Sequence, residues 1–337
     1  MFCLSGGFSL ASRLAGSERE TLGSASEKSM NGPDPLAQDL AKQCGLALLY
    51  HGTFASPPAL LGDALHNISP EELFRQLEVL SRSFHFVSID EYYSAGDRRG
   101  LATVTADDGY QCVVDEALSA FEALQIPLAI FVNRSLMEGK LFWRDKVRSI
   151  MQRERVGEFE ARFAGQFHRD PEQSFYHYTK DPRNNSIKID EVLDAFLEDD
   201  PLIDECRQYY TQAAQGLKAH PLISYGSHSV HHYVLSSLSD DEQWREIDEN
   251  RRFLETFPGV NQNAVFSIPF GGDRDYNDAT IRLAVEAGHS AMLRSRGVVQ
   301  RRDGIHDGPL PMVDRVMPRH AEPPAFLEDL QARLSRG

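Results

Sequence analysis

The chain has 337 residues, room for one large or two ordinary domains, and an apolar share of 41%, enough for a sizeable core. Its 50 acidic residues outnumber 35 basic ones, and the formal charge of −15 disfavours nucleic acid and anionic membrane surfaces as partners. Cys3, Cys44, Cys112 and Cys206 are scattered without Cys-x-x-Cys spacing, which fits free thiols in a reducing compartment rather than a disulfide framework or zinc ribbon. No apolar run reaches the length of a transmembrane helix, and residues 1–8 lack the basic start of a signal peptide. A cytoplasmic protein is expected.

Residues 1–40, rich in Ser, Gly and Ala at the start and without sustained periodicity, read as a disordered tail, with Met30 a candidate start. Residues 45–50 form an apolar run, the first expected strand, with His51 at its C-terminal end. In parallel α/β folds chemistry collects at that end. Ser69 caps a helix with Pro70 at its first position, Glu72 three residues after the cap, and Leu73, Leu77 and Leu80 on its apolar face. Residues 86–89 read as a short strand leading to a helix at Asp90. Residues 102–105 are a β-branched strand that delivers Asp107 and Asp108. A helix over 113–124 and a strand over 127–132 complete a βαβ unit.

Residues 145–220 break this alternation. The stretch is charged, helix-prone and interrupted by Asp181-Pro182-Arg183-Asn184-Asn185. It reads as a mostly helical insertion, either a substrate-selecting wall or a solvated decoration, and its His168 and His177 receive no metal role. Alternation resumes with a strand over 222–226 that feeds His228. Ser239 caps a helix carrying Trp244, Ile247 and Phe253. A strand over 265–268 is stopped by Pro269 and by Gly271-Gly272. A helix over 280–287 ends at Gly288, which leaves His289 as a structural helix-end residue. Strands over 290–293 and 312–316 and a helix over 326–334 finish the chain.

Two motifs carry chemistry. His228 and His232 stand four apart, a spacing that shares one helix face or one side of a helical turn. Two imidazoles and a carboxylate from elsewhere make an N/N/O set for a divalent metal. Asp107 and Asp108 are adjacent carboxylates at a strand end, whose repulsion a cation would relieve. Each has a plainer reading alone: His pairs decorate helix surfaces, and Asp-Asp-Gly suits turns.

Taken together and in order, Tyr50-His51, Thr105-Ala106-Asp107-Asp108-Gly109, His228-Ser229-Val230-His231-His232 and Pro269-Phe270-Gly271 resemble the motifs of the polysaccharide deacetylase family, carbohydrate esterase family four. The resemblance runs from about Cys44 to about His320, interrupted by the insertion. It implies an α/β fold, a distorted parallel (β/α) barrel of about seven strands; a doubly wound open sheet would also alternate strands and helices. It implies a divalent metal, zinc, on Asp108, His228 and His232, with Asp107 as general base. Phe270 and Gly271 would stabilise the oxyanion through a backbone N–H. The implied substrate is an acetylated sugar or glycan precursor.

This sequence departs from the family pattern at three places. Ala106 replaces an aromatic residue. Phe266 and Ser267 stand where an arginine would hold the base, so Asp107 is expected to lack that partner. No histidine lies in 312–317 to act as general acid, which leaves Asp107 itself, or His306, to deliver the proton; His51 is a further possible site residue. A hydrolase of another small amide and a non-catalytic sugar-binding relative remain as alternatives.

Overall fold

The computed structural model describes residues 32–59, 66–166, 169–198, 200, 204–299 and 308–334. Its strands are β1 (Leu46–Tyr50), β2 (His85–Phe86), β3 (Leu101–Ala106), β4 (Leu128–Val132), β5 (Ile223–Ser227), β6 (Asn261–Ser267), β7 (Ala291–Arg294) and β8 (Met312–Asp314). All pair in parallel in the order β1-β3-β4-β5-β6-β7-β8, with the two-residue β2 beside the start of β3. Beyond β8 the chain returns to β1. Val316 bridges Leu48, the Leu49 N–H donates to Val316 O at 3.0 Å, and the Val316 N–H donates to Ala47 O at 2.9 Å. That return nearly closes a distorted barrel of seven parallel strands with helices outside, and it rules out the open sheet.

Period-two alternation divides each strand into an outward and an inward row. Leu46, Leu48, Val104, Leu128, Ile130, Phe266 and Met292 face the helices and join the main core. Ala47, Ala129, Phe131, Val265, Ala291, Leu293 and Val313 form the inner core, with Val87, Ile89 and Tyr92 packed against them. The inner residues are mostly small because a seven-stranded barrel is narrow. Gly226 shows how narrow: a Cβ there would clash with the Phe131 ring and lie 2.6 Å from Asn263 Oδ1, beside the register shift between β5 and β6.

Most expected elements stand, with corrections. The expected tail over 1–40 is helical from Pro35 to Gln43, capped by Asp34, with Ala37 and Leu40 buried; residues 1–31 lie outside the described residues. The strand expected over 86–89 is only His85–Phe86, because Ser88 and Glu91 form a capping box that takes Ile89 into the helix Ile89–Ser94. The helix expected over 113–124 is two, Cys112–Asp115 and Leu118–Leu124. The helix after Ser239 carries a π segment, Arg245–Glu249, between its α-helical ends.

The insertion is helical as expected, with helices Trp143–Gln152, Val156–Arg162, Phe175–Thr179 and Ser186–Leu197. It is no solvated decoration. Phe159 meets Phe175 and Phe196 edge-on at centroid distances of 5.3 and 5.2 Å, and Val147, Ile150, Ile189 and Leu193 belong to the main core. Its end is tied to the loop after β3: the Thr211 N–H donates to Gly109 O at 2.9 Å and the Gln111 N–H to Tyr209 O at 2.8 Å. Among the described residues no helix is long and apolar enough to cross a membrane.

Gly226→Ala should overpack the barrel and lower unfolding free energy by about 1–3 kcal/mol. Gly157→Ala, where an added Cβ meets nothing within 4 Å inside the helix Val156–Arg162, should be neutral or stabilising. Urea unfolding of the two variants checks the contrast; equal midpoints would show that the barrel interior can yield at Gly226.

Candidate metal centre

The inward rows end at one place. Thr103 and Thr105 lead to Asp107, Ser224 and Gly226 to His228, Val265 to Ser267, Leu293 to Ser295, and Val313 to Arg315. Each strand therefore delivers a polar side chain to the C-terminal mouth by alternation alone. Asp107 is buried there. Arg315, fully buried, grips it with two parallel bonds, Nη1 to Oδ1 and Nη2 to Oδ2, each 2.7 Å. The Ser267 hydroxyl also donates to Asp107 Oδ2 at 3.0 Å. Arg315 reaches Thr105 Oγ1 at 3.2 Å, Ser267 Oγ at 2.9 Å and Ser295 Oγ at 3.1 Å. Burial alone would raise the Asp107 pKa; the Arg315 guanidinium outweighs it and holds the carboxyl below its ordinary range. The expectation that Asp107 lacks an arginine is thus overturned. Arg315 supplies the guanidinium from just after β8, and Ser267 adds a bond from a position where the family pattern has an arginine.

Asp108, His228 and His232 converge beside it. Their potential ligand atoms lie within 4.8 Å of one another, all on buried residues. Asp108 Oδ1 is 3.5 Å from His228 Nε2 and 3.4 Å from His232 Nε2. Asp108 Oδ1 and His228 Nε2 are buried with no hydrogen-bond partner. His228 Nδ1 lies 2.8 Å from Ser267 O, a contact that places the proton on Nδ1 and leaves Nε2 as a lone-pair donor. Burial works against charge on His228, yet Asp107 and Asp108 raise its pKa, so the site draws positive charge to Nε2. Burial pushes His232 down to about 3, which keeps that imidazole neutral. Two carboxylates face one guanidinium here, and this N/N/O set fits a divalent cation.

The histidine pair does not share a helix face. Residues 228–234 are an irregular loop after β5. Asp108, Ser229, His232 and Phe270 have φ of 67°, 66°, 60° and 62°, four of the six positive-φ non-glycine residues among those described. Left-handed backbone at such residues is costly and persists only where surroundings enforce it. The enforcement is visible. Asn133 Nδ2 donates to the carbonyls of His228 and Ser229, and the His232 N–H to Ser229 Oγ at 3.0 Å. Trp143, the first residue of the helix that leads into the insertion, donates its indole N–H to His232 O at 3.0 Å. Glu246 accepts the Val230 N–H on its carbonyl at 3.0 Å and the His231 N–H on its side chain at 2.8 Å. Glu246 lies within the π segment Arg245–Glu249, a feature common at functional sites.

The remaining expected residues divide. The Phe270 ring stands 4.6 Å from the His232 ring and 5.9 Å from Trp143. Gly271 (φ 69°) is required by contact, since a Cβ there would lie 2.5 Å from the Ser295 nitrogen. His51 follows β1 opposite Asp107, whose N–H bonds Tyr50 O at 3.0 Å, and its buried Nδ1 has no partner. His306 and His168 lie outside the described residues. His177 is exposed and bonds Ser174, and His289 is tied by Nδ1 to Ala264 O, both away from the site as expected.

The family model described as polysaccharide deacetylase matches residues 201–292, a minority of the chain that contains β5, the histidine loop and β6. The fold is similar to that of the Streptococcus pyogenes deacetylase PplD in complex with acetate, with a TM-score of 0.51 at 15% identity over 87% of this chain and 98% of that chain. IcaB from Ammonifex degensii gives a TM-score of 0.48 at 15% identity over 86% of this chain and 97% of that chain. No curated protein matches the sequence. At these identities the structural likeness is one of fold.

Two variants follow from the geometry. Arg315→Gln leaves Asp107 buried without its charge partner, and unfolding free energy should fall by about 3–5 kcal/mol; an unchanged melting temperature would mean that Ser267 suffices. Trp143→Phe keeps a ring but removes the donor to His232 O. Divalent-ion affinity, measured by competition with a chelating dye, should drop about 10–100-fold, as for other groups that orient a ligand from behind.

Proposed function

We propose that this chain, a member of the polysaccharide deacetylase family, is a metal-dependent hydrolase that removes an acetyl group from an N-acetylated sugar or glycan. One observation carries the reading: an ionised, buried Asp107 stands beside Asp108, His228 and His232, whose ligand atoms converge and include buried, unpartnered ones. Asp108, His228 Nε2 and His232 Nε2 would hold the ion, and the donor set favours zinc. When bound, the ion supplies Lewis acidity, making water more acidic and polarising the amide carbonyl.

The chain's own groups do the rest. Asp107 takes the proton of the attacking water on its carboxylate. Arg315 and Ser267 keep that carboxylate charged and fixed, so no reorientation precedes transfer. As the C–N bond breaks, the same proton passes from Asp107 to the leaving nitrogen, giving a free amine and acetic acid, which ionises to acetate in water. This one-residue shuttle needs no histidine in 312–317. The Phe270 N–H would face the developing oxyanion, with Gly271 letting substrate approach the backbone. Buried Cys112 and Cys206, in no disulfide among the described residues, support the cytoplasmic location within this reading.

Asp107→Asn should retain zinc yet lose about 10²–10⁴-fold in kcat on N-acetylglucosamine oligomers. His232→Ala should lose both zinc, by elemental analysis, and turnover. Wild-type rates in Asp107→Asn would assign the base elsewhere, and full zinc occupancy in His232→Ala would remove that residue from the ligand set. Turnover of small formamides or cyclic ureides, with none of acetylated sugars, would move the substrate class to small amides.

A further inference from the structure

We propose that the substrate carries an anionic substituent, phosphate or carboxylate, close to its acetamido group, and that Lys180 recognises it; this rests on the deacetylase reading above. Lys180 is half-buried on the insertion. Its Nζ lies 5.2 Å from the Phe270 ring centroid and 5.3 Å from that of Tyr176. The Phe270 ring also meets the His232 ring, at 4.6 Å. A single ring therefore separates this ammonium from the candidate ligand set.

Among the described residues Lys180 makes no ion pair. The adjacent Asp181 is held by Arg183 at 2.7 Å and faces Arg274 at 3.7 Å. Asp275, whose carboxyl Lys180 does influence, lies beyond ion-pair distance of it and accepts the Gly272 N–H at 2.8 Å.

A second cation stands behind the first. Arg144 is buried with its guanidinium 4.3 Å from the Tyr176 centroid, 4.5 Å from that of Trp143 and 5.5 Å from that of Phe270. It bonds Thr179 Oγ1 at 3.0 Å and Tyr176 O at 3.3 Å, its Nε has no partner, and among the described residues no carboxylate pairs with it. Burial pulls its pKa down only to about 10, so it stays charged at neutral pH. The neighbouring Asp145 is taken by Arg148 at 2.6 Å and by the Tyr210 hydroxyl at 2.6 Å. Around the Phe270 ring, Lys180 and Arg144 thus stand without an ion-pair partner among the described residues, in a chain of net −15. Rings that hold the ammonium also exclude water, which strengthens its attraction for an anion. A neutral glycan would leave both charges uncompensated; an acidic one would supply the counter-charge.

The test compares three probes on zinc-loaded protein: a neutral N-acetylglucosamine oligomer, N-acetylglucosamine 1-phosphate and N-acetylmuramic acid. At least one acidic probe should exceed the neutral one in kcat/KM by about tenfold, the scale of one charge-assisted contact. Lys180→Gln should erase that preference through KM, with kcat and neutral-probe turnover unchanged, and Lys180→Arg should restore it. Preference for the phosphate or for the carboxylate identifies which anion is read. A parallel titration of metal-free protein with the same sugars, followed by tryptophan fluorescence, needs no turnover. If no sugar is hydrolysed, the deacetylase reading fails, while this titration still decides the role of Lys180. Equal affinity for acidic and neutral probes, or affinity unchanged in Lys180→Gln, overturns the proposal.

Discussion

The buried pair between Arg315 and Asp107 organises this molecule. Two opposite charges inside a protein are stabilising only when their remaining hydrogen-bonding capacity is satisfied. Here it is, because Thr105, Ser267 and Ser295 surround the guanidinium. Those partners come from β3, β6 and the end of β7, and Arg315 itself follows β8. One residue further on, Val316 pairs with Leu48 and closes the ring. The segment that completes the barrel therefore also fixes the charge of the carboxylate at its mouth. Neither could shift without the other, since opening the Val316 bridge would withdraw Arg315 from Asp107.

Around this rigid pair the chain holds strained backbone. Left-handed Asp108, Ser229, His232 and Phe270 would each relax if their surroundings allowed. At Ser229 and His232, Asn133, Trp143 and Glu246 prevent that, acting from the end of β4, from the helix that leads into the insertion and from the π segment. The insertion is for this reason part of the site. Its Trp143 holds a ligand-loop carbonyl, its Ser186 hydroxyl accepts the Val234 N–H at 3.2 Å, and Tyr233 donates to Asp190 at 2.7 Å. Its segment 209–211 pairs with the turn after Asp108. Deleting it would remove supports from both halves of the candidate metal centre, so point substitutions are the informative changes.

Charge is distributed against the overall balance. The protein is acidic, yet Arg144 and Lys180 stand around the Phe270 ring without ion-pair partners among the described residues, beside the Arg148–Asp145 pair, while Asp107 and Asp108 sit at the floor of the mouth. Such opposed fields suit a substrate that meets a cation at its amide carbonyl and bears negative charge elsewhere, as a short low-dielectric distance makes each attraction strong.

Much of this was legible in the linear sequence, for a physical reason. Strand alternation has a period of two whatever the tertiary context, so the apolar runs, and the polar residues Asp107, His228 and Ser267 that end their inward rows, could be read by counting. Capping chemistry is equally local, as Ser69 and Glu72 illustrate. What the sequence could not say is which inward row meets which. Arg315 sits 208 residues from Asp107, and only the closure of the ring, set by strand order and shear, brings them within 2.7 Å. The i,i+4 spacing of His228 and His232 suggested a helical turn. The actual loop is fixed by Asn133, Trp143 and Glu246, far along the chain, and no local propensity encodes left-handed φ at His232. The sequence by itself determined the strands, their faces and the candidate ligand types; the tertiary structure alone decided the partner of Asp107, the shape of the histidine loop and the place of the insertion, because each depends on contacts between segments whose separation in sequence carries no information about their distance in space.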